Sequence, residues 1–273
     1  MKNDILRAVR GMKDGLPKNN FTRQIIASKI IHQTHLFDYA EIKLPIVEYA
    51  EVFTRGIGID TDVINKEMYS FQDRNGEWLS LRPEGTAGCV RAVIENNLLI
   101  SAPLKLWYFG EMFRYERPQK GRQRQFSQFG FELFGVKQVS AEFEIICMVE
   151  EIWKALGISD LRLEINSLGS NEDRIRYSRE LKSYFGRFKN EFDKPTTETF
   201  ERNSLRLLDS KNPIIEELKK EAPKISEFLS KESLERIAYL EEILASNCIK
   251  AKINPHLVRG LDYYSDIVFE WKT

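Results

Sequence analysis

Two runs of strand-forming residues, 105–114 and 125–134, follow one another with no helix between them, separated by a loop that contains Pro118 and Gly121. Strands joined so directly pair antiparallel, because a parallel pair needs a crossover of a dozen or more residues. That feature favours antiparallel pairing over a doubly wound parallel sheet. With alternating polarity in most other strand-like runs, it sets the expected class as α+β, an antiparallel sheet flanked by helices.

The same alternation assigns faces. In Gln128-Phe129-Gly130-Phe131-Glu132-Leu133, Phe129, Phe131 and Leu133 point one way, and Gln128, Gly130 and Glu132 the other. The second face reads as a shallow polar trough, with Gly130 as an open floor between two polar side chains about 13 Å apart at a rise of about 3.3 Å per residue. A small zwitterion fits such a trough. Equally, Gly130 marks a bulge and its polar neighbours face water.

The texture changes along the chain. Between 171 and 250, 32 of 80 residues are charged, 40% against 30% overall, and apolar residues recur at helical spacing (Leu181, Tyr184, Phe185, Phe188, then Ile237, Leu240, Leu244). Ser170 with Asp173 three residues on predicts a helix start. Lys194-Pro195 and Ala222-Pro223 punctuate the segment, and strand character returns at Lys252-Ile253 and at 267–271. The expected organisation is a sheet domain over 1–170, a helical insertion over 171–250, and a return to the sheet over 251–273.

Basic and acidic residues number 41 each, which argues against a general nucleic-acid coat protein, although a local basic patch can still exist on a neutral chain. No run approaches the ~20 apolar residues of a membrane span, and charge interrupts the first seven residues before a signal-peptide core. Cys89, Cys147 and Cys248 are odd in number and far apart, which argues against a disulfide framework or a zinc site and for a reducing cytoplasm. His32 and His35 stand at i, i+3 without an acidic or Cys partner nearby, and His256 stands alone, so no metal site of protein ligands is expected.

Three segments carry candidate chemistry. The loop after the first long strand holds Arg114, Arg117, Lys120, Arg122 and Arg124 against Glu116 alone. Guanidinium forks on such a loop suit phosphates, although a solvated basic loop has the same composition. In Leu81-Arg82-Pro83-Glu84-Gly85-Thr86-Ala87 a strand ends at Pro83 and a helix starts near Thr86. Thr86 is the expected cap, and Glu84 a carboxylate on the turn, free for an ammonium group. Leu257-Val258-Arg259-Gly260-Leu261-Asp262-Tyr263-Tyr264 combines an Arg that can hold a carboxylate or phosphate with tyrosines that can be site or core residues.

Together, in this order, these segments resemble the histidyl-tRNA synthetases, which are class II aminoacyl-tRNA synthetases. Arg10-Gly11-Met12 fits the same pattern, Leu44-Pro45-Ile46-Val47-Glu48 resembles class II motif 1, and 114–132 resembles motif 2. The resemblance implies a class II antiparallel catalytic sheet with a helical insertion domain, and a homodimer built through motif 1. It also implies a two-step reaction: L-histidine attacks the α-phosphate of ATP, with Mg2+ carried on the nucleotide, and the histidyl group then passes to the acceptor end of tRNA(His). Carried over position by position, Glu84, Thr86 and Gln128 would bind the α-amino group, with Gly85 beside them. Glu132 and Tyr264 would bracket the imidazole, Tyr263 would line the pocket, and Arg114 and Arg259 would meet the α-phosphate. Arg117, Lys120, Arg122 and Arg124 would face tRNA.

The family continues beyond the counterpart of Thr273 into a glycine-rich strand segment, motif 3 and an anticodon-binding domain, so adenylate synthesis by these 273 residues alone is expected to be weak. The competing readings are the synthetase-like regulatory subunit of ATP phosphoribosyltransferase, which does not charge tRNA, and a fragment that only binds partners.

Overall fold

The structure, a computed structural model, describes residues 6–58, 61–261 and 263–273; the first five residues and Asp262, both used in the sequence reading, lie outside them. Its contacts divide the chain into two compact units, Met1–Ile158 and Ser159–Thr273.

In the first unit the long hairpin is the organising element. Strand β5 (Leu104–Phe113) and β6 (Gln125–Phe134) pair antiparallel over ten positions, from Leu104↔Phe134 to Phe113↔Gln125, and the short β1 (Ala40–Glu41) adds in parallel along β5. Period-2 alternation gives this sheet two apolar faces. On one, Trp107, Phe109, Phe129 and Phe131 pack against Ile30 of helix α1 (Pro17–Leu36), Tyr39, and Met148 and Ile152 of helix α4 (Ser140–Leu156), with the Phe109 and Phe129 rings stacked at 4.1 Å. On the other, Leu106, Tyr108 and Met112 pack against Cys89 and Val93 of helix α3 (Thr86–Glu95). A second sheet, β2 (Val47–Tyr49), β4 (Trp78–Leu81) and β3 (Tyr69–Gln72), is antiparallel, with β4 central. Helix α2 (Ala50–Ile57) follows β2 directly.

The second unit is built on β7 (Arg162–Ser167), flanked by β8 (Ala251–Ile253) in parallel and β9 (Ile267–Lys272) antiparallel. The parallel pairing needs a long crossover, and the helical stretch between β7 and β8 supplies it. That stretch contains α5 (Asn171–Gly186), α6 (Lys194–Arg202), α7 (Pro213–Leu218) and α8 (Lys231–Ser246). Tyr177, Leu181, Phe185, Phe200, Leu207 and Ile215 form its core, and Leu257 and Val268 from the sheet side join it. The start of α5 is the reciprocal cap expected from the sequence: Asp173 N–H donates to Ser170 Oγ at 3.2 Å, and Ser170 N–H to Asp173 Oδ2 at 3.0 Å.

Candidate active site

Helix α3 begins at Thr86, leaving its first backbone N–H groups without intrahelical acceptors. Glu84 satisfies two of them, its carboxylate accepting from Thr86 N–H at 2.6 Å and Ala87 N–H at 2.7 Å. The cap is therefore Glu84 and not Thr86. Both carboxylate oxygens of this 2%-exposed side chain are engaged, so Glu84 is not the free turn carboxylate that spacing alone suggested. Burial raises its pKa, against the pull of the two backbone donors and of Arg114.

Relieved of capping, the Thr86 hydroxyl donates across the sheet to Glu132 Oε1 at 2.7 Å. Tyr108, from β5, brings its hydroxyl to 3.3 Å from the same oxygen and 3.4 Å from Thr86 Oγ1. Glu132 is half-buried, and its pKa is pushed up to about 7, first by burial and further by the Glu84 charge, while the Thr86 and Tyr108 hydroxyls pull it down. Its Oε2 has no hydrogen bond among the described residues. Gln128, four residues back on the same face, holds a buried Oε1 with no partner among the described residues.

Gly130 does not leave an open floor. The register sets Tyr108 directly opposite it, and a Cβ at Gly130 would lie 2.0 Å from Tyr108 Cζ. A Cβ at Gly85 would lie 2.1 Å from Cε2 of the same ring. The bare strand glycine is filled from its cross-strand neighbour, the usual way an aromatic compensates for a missing side chain.

Arg114 ends the same hairpin. Its Nε donates to Pro83 O at 2.8 Å and its guanidinium lies 5.2 Å from the Phe126 ring centroid, which leaves both terminal nitrogens without a partner among the described residues. Beyond it, Gln119 and Arg122 close a tight turn, with Gly121 at φ 79°. Arg117, Lys120 and Arg122 are exposed, Arg122 lying 3.4 Å from Glu116. Arg124 differs from them: it is half-buried, stacked 3.8 Å from the Tyr115 ring centroid, and its N–H donates to Gly11 O at 2.8 Å. It anchors the loop and does not present a free charge.

Arg259, Tyr263 and Tyr264 form their own cluster in the second unit. The Arg259 guanidinium lies 5.4 Å from the Tyr264 ring centroid and 3.7 Å from Glu270, and the two tyrosine rings are 4.7 Å apart. Arg174 fixes this turn by donating to Tyr264 O at 2.5 Å.

Sequence reasoning assigned no task to Tyr108 or to Arg82. The latter is buried, donates to Glu111 O at 2.9 Å and Leu44 O at 2.8 Å, and occupies the space above Gly110. A readable signal existed for Tyr108: counting outward from the loop places an aromatic opposite Gly130. Among the described residues no group of three His, Cys, Asp or Glu could hold a metal, and no helix is long and apolar enough to cross a membrane.

The α+β fold, with its antiparallel hairpin sheet and the helix packed on one face, is of the class II aminoacyl-tRNA synthetase type. Solved structures with this fold include the apo histidyl-tRNA synthetase of S. aureus, at TM-score 0.75 and 32% identity over 98% of this chain and 61% of that one. Another is an ATP phosphoribosyltransferase regulatory subunit/histidyl-tRNA synthetase from Bacillus halodurans, at 0.71 and 26% over 99% and 73%. Residues 11–172 match the family described as histidyl-tRNA synthetase. A histidine--tRNA ligase of Halorhodospira halophila is 44% identical over all 273 residues, and one of Buchnera aphidicola 46% identical over 271. This chain belongs to the histidyl-tRNA synthetase family, and it spans 64% and 63% of the lengths of those two relatives.

Proposed function

We propose that the chain carries the amino-acid pocket of a histidine-activating, tRNA-charging enzyme. The observation that carries the reading is the pair of unsatisfied acceptors on one strand face: the buried, unpartnered Gln128 Oε1 and the free Glu132 Oε2. Gln128 Oε1, buried and left open, costs free energy until a donor arrives, whereas Glu132 Oε2 is reached by solvent and is open to a ligand N–H. Histidine brings two, an ammonium for Gln128 and an imidazole N–H for Glu132. Thr86, whose proton goes to Glu132, keeps its lone pairs for the ammonium, and buried Glu84 beneath adds negative potential without direct contact. The family resemblance gives Tyr264 to the second imidazole nitrogen and Tyr263 to the lining of the pocket. An amino acid lacking those nitrogens would leave Glu132 unpaired, the kind of mismatch that discriminates strongly.

Nothing in the set acts as a general base, and none is needed, because the attacking carboxylate is already an anion. The rate would come from alignment and from Arg114 facing charge that develops on the α-phosphate of ATP, a role the family resemblance also gives to Arg259. Arg114 suits this through its two free terminal nitrogens. Mg2+ would arrive on the nucleotide phosphates. Arg117, Lys120 and Arg122 would meet the tRNA(His) acceptor end, with Arg124 holding the loop. Dimerisation would use the β2-β4-β3 sheet, whose outward face carries Val47 (41% exposed), Tyr49 (56%) and Phe71 (43%) while Glu48 and Ser80 of the opposite face are buried. The chemistry is that of protein synthesis in the cytoplasm.

Calorimetric titration with L-histidine, with and without a non-hydrolysable ATP analogue and beside a tRNA-binding measurement, tests the assignment. Binding of both histidine and tRNA supports a charging enzyme. Histidine binding without tRNA binding favours the regulatory type named for the Bacillus halodurans structure, and no histidine binding removes the pocket.

A further inference from the structure

Tyr108 sits at the middle of β5, only 3% exposed, with its ring held between Gly85 and Gly130. Contacts of 2.1 and 2.0 Å from the Cβ positions those glycines lack mean that the ring occupies space only glycine leaves open. A ring clamped this way has two side-chain torsions and no room to use them. Its hydroxyl is therefore presented at a fixed point. The hydroxyl has one proton and two neighbours, Thr86 Oγ1 and Glu132 Oε1. Thr86 already gives its own proton to Oε1 at 2.7 Å, so both hydroxyl protons converge on that one oxygen.

We propose that Tyr108, seated by Gly85 and Gly130, is a specificity-determining positioning residue: with Thr86 it saturates Glu132 Oε1 and so leaves Oε2 as the single oxygen open to a ligand N–H. The inference rests on the pocket reading given above. Its physical basis is that a carboxylate's terminal torsion is broad and roughly two-fold. One donor lets the group rotate and exchange its oxygens, whereas two donors on one oxygen fix it. The second donor also supports the ionised form, which is the form able to accept an N–H. The titratable groups around Glu132 are Glu84 from the turn before α3, Cys89 from α3, Tyr108 from β5 and Tyr39 from the loop after α1; of these, only Tyr108 donates to it.

The test is calorimetric titration of the 273-residue chain, as Tyr108→Phe and unsubstituted, with L-histidine and with 3-(2-thienyl)alanine, which keeps the α-amino group and a five-membered aromatic ring but has no ring nitrogen, between pH 6 and 9. Tyr108→Phe removes the hydroxyl and keeps the wedge, and thermal unfolding confirms that the fold is retained. Histidine affinity should fall roughly ten-fold, as for loss of a hydrogen bond to a charged group. Its preference over thienylalanine should shrink, and the acid limb of histidine binding should move to higher pH. A uniform loss of affinity with an unmoved acid limb and unchanged preference would make Tyr108 a packing residue only and overturn the inference. Glu132→Gln separates the two levels. If it abolishes histidine binding while Tyr108→Phe changes nothing, the inference fails and the pocket reading stands; if it leaves binding unchanged, both fall.

Discussion

Replacing Glu132 by Gln should make the unliganded protein more stable at pH 8 while weakening its hold on histidine. Burial and the neighbouring Glu84 charge raise the Glu132 pKa from the ordinary 4.5 to about 7. Between those two values the folded state holds a proton that the unfolded chain has released, so stability falls as pH rises through that window and stays low above it. Full ionisation then costs the fold about 3 kcal/mol at ~1.4 kcal/mol per pH unit. Because Glu132 is partly open to solvent, we take about 1–3 kcal/mol as the penalty present at pH 8. Gln carries no charge, and its Oε1 can still accept from Thr86. The variant should therefore melt roughly 2–10 °C higher at pH 8, for a domain of about 150 residues. Near pH 4.5, where the parent is protonated in the fold, the gain should shrink to a few tenths of a kcal/mol. Thermal unfolding of both proteins from pH 4.5 to 8, followed by a probe in the first unit such as Trp107 fluorescence, measures this directly. A gain that does not change with pH, or a loss of stability at pH 8, would refute the argument. The trade is physically natural: the ionised carboxyl that destabilises the empty pocket is the group that would accept histidine's imidazole N–H.

Arg259→Ala should slow ATP-pyrophosphate exchange by about 10²–10³ while changing histidine affinity little, since its charge would act on the phosphate; an unaltered exchange rate removes the assignment. Gly130→Ala forces a Cβ into the Tyr108 ring and should cost about 1–3 kcal/mol in urea unfolding. Pairing it with Tyr108→Ala should cost much less than the sum of the two single changes, and simple additivity would show that the two sites do not press on each other. Lys120→Ala with Arg122→Ala should reduce the salt dependence of tRNA binding by about one unit per lost phosphate contact, with the histidine titration unchanged. A salt slope equal to the parent's would place the acceptor end elsewhere.

What the amino-acid sequence determined by itself was local. Period-2 alternation assigned Phe129 and Phe131 to one face and Gln128 and Glu132 to the other, because the pleat leaves no alternative once the strand exists. The absence of a helix between 114 and 125 made the pairing antiparallel, and Ser170 with Asp173 placed the start of α5 to the residue. These depend on neighbours within a few positions, and chain geometry transmits them directly. Tertiary structure decided everything that needed a partner from far along the chain. Glu84 caps α3, which frees Thr86 to reach Glu132, 46 residues away. Tyr108 fills the floor that Gly130 left bare, and Arg124 is pinned to Gly11, so a loop of five like charges presents fewer than five to solvent. The parallel additions of β1 to β5 and β8 to β7 were equally invisible, since two or three residues carry no period of their own and pair where the core leaves an edge. The raised pKa of Glu132 is the clearest case: it comes from desolvation and from a second carboxylate 48 positions earlier, quantities that exist only once the sheet and α3 have closed over each other.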